Sequence, residues 1–285
     1  MAGFFIIIME KRIAIQGFEG SFHQEAADHY FEGNVKVLPC ATFRETVRQA
    51  SDKKISDGGV MAIENSIAGS ILPNYNLLQK SNLHVIGEIY LQIRQHLMVN
   101  PGVGFNDIKE VHSHPMALLQ CMDYLEKFEW KLIESEDTAL SAHLIHQHHN
   151  KHAAAIAGRL AARMYGLDII VPNIHTLKNN YTRFLILQRE DKIGLMDHPN
   201  KSSLYFQTDH SKGSLARVLT IIADGGINLS KLQSFPIPDT DWKYSFYVDM
   251  EFDSLDKFNS VIDAINPVTE KLKVYGIYKK GITIR

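Results

Sequence analysis

Gly59-Val60-Met61-Ala62-Ile63-Glu64-Asn65-Ser66 decides the fold. Its first five residues are uniformly apolar and small to medium in size, which reads as a buried strand, and the run then turns polar without a break. Two earlier runs match it, Ile13-Ala14-Ile15-Gln16 and Val35-Lys36-Val37-Leu38, with helical patterns over 22–31 and 42–51 between them. The order β-α-β-α-β predicts a parallel sheet with helices on its faces. Ligands of such sheets bind beyond the C-terminal ends of the strands. Two loops are therefore candidates: Gly17-Phe18-Glu19-Gly20-Ser21-Phe22 after the first strand, and Glu64-Asn65-Ser66-Ile67-Ala68-Gly69-Ser70 after the third.

Outward from this unit, 83–98 reads as extended, with polar interruptions at Gln92 and Arg94-Gln95. Helices are expected over 116–128, 138–149 and 153–165; Leu118, Leu119, Met122 and Leu125 recur at helical spacing. Strands follow at 169–171 and 184–188. The polar stretch 189–200, with Gly194 and Pro199, reads as a linker. Beyond it come a strand at 203–208, a helix at 214–224 ended by Gly225-Gly226, strands at 227–234 and 244–252, a helix capped by Ser254, and a strand at 270–278. That β-α-β-β-α-β order is the split-βαβ, ferredoxin-like arrangement.

The chain has 285 residues, 45% hydrophobic and 22% charged, with net charge -2. The balance suits a globular α/β protein of a large and a small domain and carries no nucleic-acid footprint. Cys40 and Cys121 cannot build a disulfide framework, which points to a reducing, cytoplasmic setting. Phe4-Phe5-Ile6-Ile7-Ile8-Met9 has no basic residue before it and falls short of the ~20 apolar residues of a membrane span. It reads neither as a secretory signal nor as a membrane partner. Either it extends a strand or Met9 is the start in place of Met1; the second is preferred, because Met9-Glu10-Lys11-Arg12 leads directly into Ile13.

Each candidate motif has a chemical and a structural reading. In Asn180-Tyr181-Thr182-Arg183-Phe184 a hydroxyl and a guanidinium stand side by side at a strand entry. A hydroxyl can donate to a leaving oxygen, and a guanidinium can grip a carboxylate with two parallel bonds; a β-former beside a surface charge is the plainer alternative. Gly20 and Ser21 offer backbone and hydroxyl groups to an anion, or simply a turn and a helix cap; the spacing is not that of a nucleotide loop. Glu64 is a desolvated acid or half of a salt bridge, and Asn65 and Ser66 could hold a carboxylate or hydroxyl. In Ser113-His114-Pro115, proline at the first helical position makes Ser113 or His114 the cap, and His114 could shuttle a proton. His143, His146, His148, His149 and His152 lack a nearby Cys, Asp or Glu to complete a metal site. In the last module, Gly213-Ser214-Leu215 and Asn228-Leu229-Ser230-Lys231 open a helix and a strand, either as plain caps or as a dock for a small zwitterion.

Taken together these segments resemble the prephenate dehydratase family over nearly the whole chain. The family's pieces occur in order: Gly-x-x-Gly-Ser at Gly17 to Ser21, Glu-Asn-Ser-x-x-Gly at Glu64 to Gly69, Ser-His-Pro-x-Ala-Leu at Ser113 to Leu118, and Asn-x-Thr-Arg-Phe at Asn180 to Phe184. The tail resembles the ACT regulatory domain attached to that enzyme. The resemblance implies a type II periplasmic-binding-protein-like catalytic domain over 10–190, one lobe from 10–88 with 170–190 and the other from 89–169, then a linker at 191–201 and an ACT domain at 202–285. It implies loss of the ring hydroxyl and ring carboxylate of prephenate, giving phenylpyruvate, CO2 and water, with no cofactor and no metal. Thr182, Arg183 and Phe184 would be catalytic: Thr182 the donor to the leaving oxygen, Arg183 a carboxylate ligand, Phe184 apolar wall or core. Gly20, Ser21, Glu64, Asn65, Ser66 and His114 would bind substrate. L-phenylalanine would be the effector, held by Gly213, Ser214, Leu215, Asn228, Leu229, Gln233 and Ser234, in a homodimer or homotetramer paired through the ACT sheets. The chain departs from the family pattern at Ala62 (often Pro), Met116 (often Gln) and Thr176 (usually Asp), and most at Gln233 and Phe235, where Glu-Ser-Arg-Pro has become Gln-Ser-Phe-Pro. Arogenate dehydratase, with an amino group for the keto group of the substrate, and a non-catalytic sensor built on the same two modules are the alternatives.

Overall fold

The computed structural model describes residues 10–192, 194, 197–237, 239–240 and 243–285. The stretch 4–9, and with it the choice between Met1 and Met9, lies outside the described residues. The chain opens with β1 (Lys11–Gln16), α1 (Phe22–Tyr30), β2 (Val35–Cys40), α2 (Phe43–Ser51), β3 (Gly58–Asn65), β4 (Gly69–Ser70), α3 (Leu72–Lys80) and β5 (Leu83–Gln92). It then crosses into a second layer: β6 (His96–Val99), β7 (Glu110–Ser113), α4 (Pro115–Gln120), α5 (Met122–Leu125), β8 (Lys131–Glu134), α6 (Thr138–Gln147), β9 (Ala153–Ala157), α7 (Arg159–Tyr165) and β10 (Asp168–Val171). It returns as β11 (Tyr181–Arg189). A third unit holds β12 (Lys201–Gln207), α8 (Ser214–Asp224), β13 (Asn228–Pro236), β14 (Tyr244–Glu251), α9 (Leu255–Ile265) and β15 (Lys271–Tyr278), and β16 (Thr283–Ile284) closes the chain.

Three mixed or antiparallel sheets result. The first is ordered β16-β5-β11-β3-β1-β2, with β4 folded back on β3; the second β10-β6-β9-β7-β8; the third β13-β14-β12-β15. Because the chain leaves the first sheet after β5 and re-enters it as β11, two segments join two α/β lobes. β1 runs parallel to β2 and β3, as the sequence predicts, but β11 is antiparallel to both neighbours, since it returns from the other lobe.

The third sheet is sandwiched. Leu204, Phe206, Phe246, Val248 and Met250 face α8 and α9. Their alternates Tyr205 and Tyr247, with Tyr275 and Tyr278, pack on Met61, Val85, Leu185 and Leu187 of the first sheet. The two-residue period of a strand thus supplies one apolar face to its own helices and one tyrosine face to the neighbouring sheet. β16 goes further and joins the first sheet beside β5, Thr283 opposite Tyr90.

Two predicted helices are corrected. Residues 153–165 are not one helix: Ala153–Ala157 is the fully buried strand β9, flanked by β6 and β7, and only Arg159–Tyr165 is helical. Alanine's helix preference is a fraction of a kcal/mol per residue, and a small side chain is what a central strand covered closely by α6 requires. The predicted 116–128 helix breaks at Cys121 into α4 and α5.

β15 lies backbone to backbone on β5. A Cβ at Gly276 would stand 1.8 Å from the Val85 carbonyl oxygen. Gly276→Ala is therefore expected to cost about 1–3 kcal/mol in urea unfolding, with loss of the contact between the third sheet and the first; an unchanged midpoint would contradict this packing.

Candidate active site

The loops after the strands of the two lobes meet through helix N-termini. Gly17 and Gly20 have φ of 97° and 86°, the left-handed region that favours glycine. The Gly20 N–H donates to Gln24 Oε1 at 2.7 Å, and Ser21 Oγ accepts the Gln24 N–H at 3.4 Å, capping α1. Across the gap, a Cβ at Gly20 would lie 3.0 Å from Ala161 Cα at the start of α7, and one at Gly17 would lie 2.7 Å from Asp137 Oδ2. Glycine thus lets the first lobe seat itself on the second. Asp137 caps α6 by accepting the Ala139 and Leu140 N–H groups at 2.7 and 3.1 Å; burial raises its pKa even though those bonds oppose the shift. His114 Nδ1 accepts the Met116 N–H at 3.2 Å and caps α4, so this ring orders its loop as well as facing Asp137 electrostatically. Converging N-termini favour an anion without a formal positive charge.

β3 and β11 carry the rest. Thr182 lies opposite Asn65, and Arg183 opposite Glu64. The register then slips, Phe184 facing Ala62, so that Ile63 has no partner on β11. Such a bulge re-aims neighbouring side chains. Thr182 is 8% exposed, and its Oγ1 accepts a hydrogen bond from Asn65 Nδ2 at 3.0 Å. Ser66 is spent on the backbone: its Oγ donates to the Asn179 carbonyl at 3.1 Å and accepts the Tyr181 N–H at 2.9 Å. Phe184 is buried, edge-on to the His23 ring at a centroid distance of 4.9 Å. Burial pushes the His23 pKa down to about 3, and its neutral Nε2 accepts the Ala62 N–H at 3.3 Å.

Arg183 points the other way. Its Nε donates to Glu88 Oε2 at 2.6 Å, Nη1 to Asp249 Oδ2 at 2.5 Å and Nη2 to the Tyr278 hydroxyl at 3.2 Å, with 4% of the side chain exposed. Lys201 Nζ donates to Glu88 Oε1 at 2.9 Å, and Ser203 Oγ to Asp249 Oδ1 at 2.5 Å. Burial opposes the charge of Arg183, yet Asp249, Tyr278 and Glu88 outweigh it and its pKa rises. For Asp249, burial pushes upward and Arg183 more than reverses it, holding the carboxyl below its ordinary 3.8. That stabilisation is complete above about pH 4 and is lost as the pH falls below it. The expected grip of Arg183 on a substrate carboxylate is thus corrected: adjacent strand residues face opposite ways, and each nitrogen of the guanidinium already has a buried partner.

Glu64 shares that side. Lys231 Nζ donates to Glu64 Oε1 at 2.5 Å and to Ser70 Oγ at 2.7 Å, and Ser70 Oγ donates to Gln233 Oε1 at 3.0 Å. Of the residues expected at an effector site, Gly213 (φ 81°) opens α8 and Ser214 Oγ donates to the Asp209 carbonyl at 2.8 Å. Leu215 packs into the helix-side core, and Asn228 and Leu229 start the edge strand β13. Gln233 turns to the first sheet and Ser234 away from it.

The sequence motifs do not include Glu88, Asp249 or Asp137, and give Lys231 only as part of a possible zwitterion dock. Two of them carry a signal: Glu88 interrupts Val85-Ile86-Gly87-Glu88-Ile89, and Asp249 interrupts Phe246-Tyr247-Val248-Asp249-Met250. A charge inside an apolar strand asks for a buried partner.

The sequence profile of the prephenate dehydratase family matches residues 13–192. Arogenate dehydratase 2 of Petunia hybrida is 36% identical over 282 residues, 94% of this chain and 71% of that one. Among solved structures, GqqA, described as a quorum quenching acylase, superposes with a TM-score of 0.85 at 26% identity, over 95% of this chain and 98% of that one. A prephenate dehydratase from Arthrobacter aurescens in complex with L-Phe superposes at 0.82 and 22% identity, over 94% and 90%. The chain belongs to the prephenate dehydratase family.

The geometry separates two roles for Arg183. Arg183→Met leaves buried Asp249 without its counter-charge, while Glu88 keeps Lys201, and is expected to cost about 3–5 kcal/mol in urea unfolding, with KM little changed. A variant of native stability with a raised KM would return the guanidinium to the substrate.

Proposed function

We propose that this chain is a carbon–oxygen lyase that converts prephenate to phenylpyruvate, CO2 and water. The observation that carries the reading is the Thr182 hydroxyl, held by Asn65 at the seam of two lobes. In the reaction the bond from the ring to its carboxylate breaks, and that electron pair enters the ring. The ring C–O bond breaks at the opposite carbon, and the departing oxygen takes up one proton to leave as water. Thr182 donates to that oxygen. Being a weak acid it acts as a positioned donor, with the proton ultimately drawn from a neighbouring acid or solvent. The Ser21 hydroxyl and the dipoles of the converging helix N-termini favour the dianion without a formal positive charge. With Arg183 turned away, its guanidinium does not clamp the carboxylate that must leave, and a tight ground-state grip there would slow its loss. The fold carries a different described activity in GqqA, so the assignment rests on these side chains and the family rather than on architecture. Arogenate has the same ring end, and turnover of the two substrates distinguishes them. Thr182→Val is expected to lower kcat by about 10²–10⁴-fold with folding intact; near-normal production of phenylpyruvate would remove Thr182 from the mechanism.

We read residues 10–190 as the catalytic unit and 202–285 as an ACT-type regulatory unit, acting in the cytoplasm as a homodimer or homotetramer joined through the edge strand β13. Three links support control of one by the other: Lys231 to Glu64, Gln233 to Ser70, and Asp249 to Arg183. The A. aurescens structure contains L-Phe, which makes an aromatic amino acid the first effector to test. Phe235 is committed elsewhere, its ring 5.4 Å from that of Tyr75 at the contact between the units. Isothermal titration with L-phenylalanine is expected to give heat together with inhibition; neither heat nor inhibition would reject it as the effector.

A further inference from the structure

The geometry points to Asn65 and Asn180 as positioning residues that dictate which way the Thr182 hydroxyl can donate. This rests on the reading of Thr182 as proton donor and concerns how that donor is made.

The direction starts at the backbone. Asn65 Oδ1 accepts the N–H groups of Ile67 and Ala68 at 3.0 and 2.9 Å. A backbone N–H can only donate, so the amide oxygen must sit on that side, and the NH2 group must face the other way. That NH2 group meets Thr182 Oγ1 at 3.0 Å, Asn180 Oδ1 at 2.7 Å and the Tyr181 carbonyl at 3.2 Å. Thr182 is thereby an acceptor toward Asn65. A hydroxyl has one proton, and here it cannot be spent on Asn65, so it remains for the cleft. The same logic runs on through Asn180. Its oxygen is turned to Asn65, which turns its own NH2 toward Gln120 Oε1 at 3.1 Å. Asn180 is fully buried. Gln120 ends α4 of the second lobe, so the chain of amides spans both lobes and ends at the donor on the first.

Polarity is the testable content. Asn65→Asp is isosteric. One carboxylate oxygen still takes the two backbone N–H groups, but the other now faces Thr182 and draws its proton inward. The expected result is a loss in kcat of at least about 10²-fold, approaching that of Thr182→Val, with KM moving less. Asn180→Asp introduces the same charge one residue pair away. Its carboxylate still accepts from Asn65, and Gln120 can turn its amide to donate, so the direction at Thr182 is kept and the loss stays below about 10-fold. Asn180→Leu removes the acceptor and is expected to fall below Asn180→Asp by about 10-fold or more. Thermal melts identify any variant that fails to fold; should Asn65→Asp do so, the order of the two Asn180 variants decides. Equal losses in Asn180→Asp and Asn180→Leu, or an active Asn65→Asp protein beside an inactive Thr182→Val one, would overturn the inference while leaving Thr182 in place. An active Thr182→Val protein would instead overturn the reading on which it rests.

Discussion

A guanidinium without access to water needs its charges answered within hydrogen-bond reach, and that requirement at Arg183 sets the rest of the structure. Glu88 on β5 and Asp249 on β14 supply the two carboxylates, from the first and the third sheet respectively. Strand β11 can be buried only where both are present, because an unpaired charge at that depth costs several kcal/mol. The pairing therefore specifies the register of β11, and a one-residue slip would turn every side chain to the other face. Thr182 turns to the opposite face, toward Asn65, because Arg183 faces the third sheet.

Much of this was legible in the residues. The apolar runs of β1, β2 and β3, the caps of α1 and α9, and the glycines after α8 lie where their local chemistry demands, since each depends on neighbours a few positions away. What local pattern cannot carry is which way a polar residue at a strand entry turns. Thr182 and Arg183 are adjacent, both polar, and both reasonable substrate ligands; alternation puts them on opposite faces, but only the packing of the third sheet on one face shows which of them is taken up by buried carboxylates. Ala153–Ala157 misleads for a related reason. Four alanines and an isoleucine score as helix until the surrounding strands are known, and burial in a sheet overrides a preference that is small per residue. The seam between the first and third sheets was hidden as well. Its four tyrosines look like ordinary strand formers, and Gly276 looks like a defect rather than a point of backbone contact.

The site proposed above is built mostly from neutral groups. Helix N-termini, a serine, two asparagines and a threonine surround the seam, while the formal charges of Glu64 and Arg183 are neutralised behind the sheet. That division suits a substrate that loses one of two carboxylates. A strong cation beside the departing group would stabilise the ground state more than the transition state, in which the negative charge is already moving into the ring. Fixed dipoles do not have to reorganise as the charge migrates, which is where much of an enzyme's advantage over water lies.

The same two strands present Asn65 and Thr182 on one face and contacts to the third sheet on the other, which would give the regulation proposed above a short path. Glu64 is tied to Lys231 and stands one residue before Asn65; Arg183 is tied to Asp249 and stands one residue after Thr182. A ligand on the third sheet can change activity only by favouring one arrangement of these contacts over another. It need not open or close the lobes to do so. A shift of Lys231 or Asp249 relative to the first sheet acts on backbone shared with Asn65 and Thr182, and a hydroxyl moved by about 1 Å from its productive position loses much of its effect. Buried, hydrogen-bonded ion pairs suit this task better than an apolar seam, because they hold one geometry and lose energy steeply away from it. Under the regulation proposed above, the cost of burying Arg183 would be the means by which one face of the strand is informed of the other.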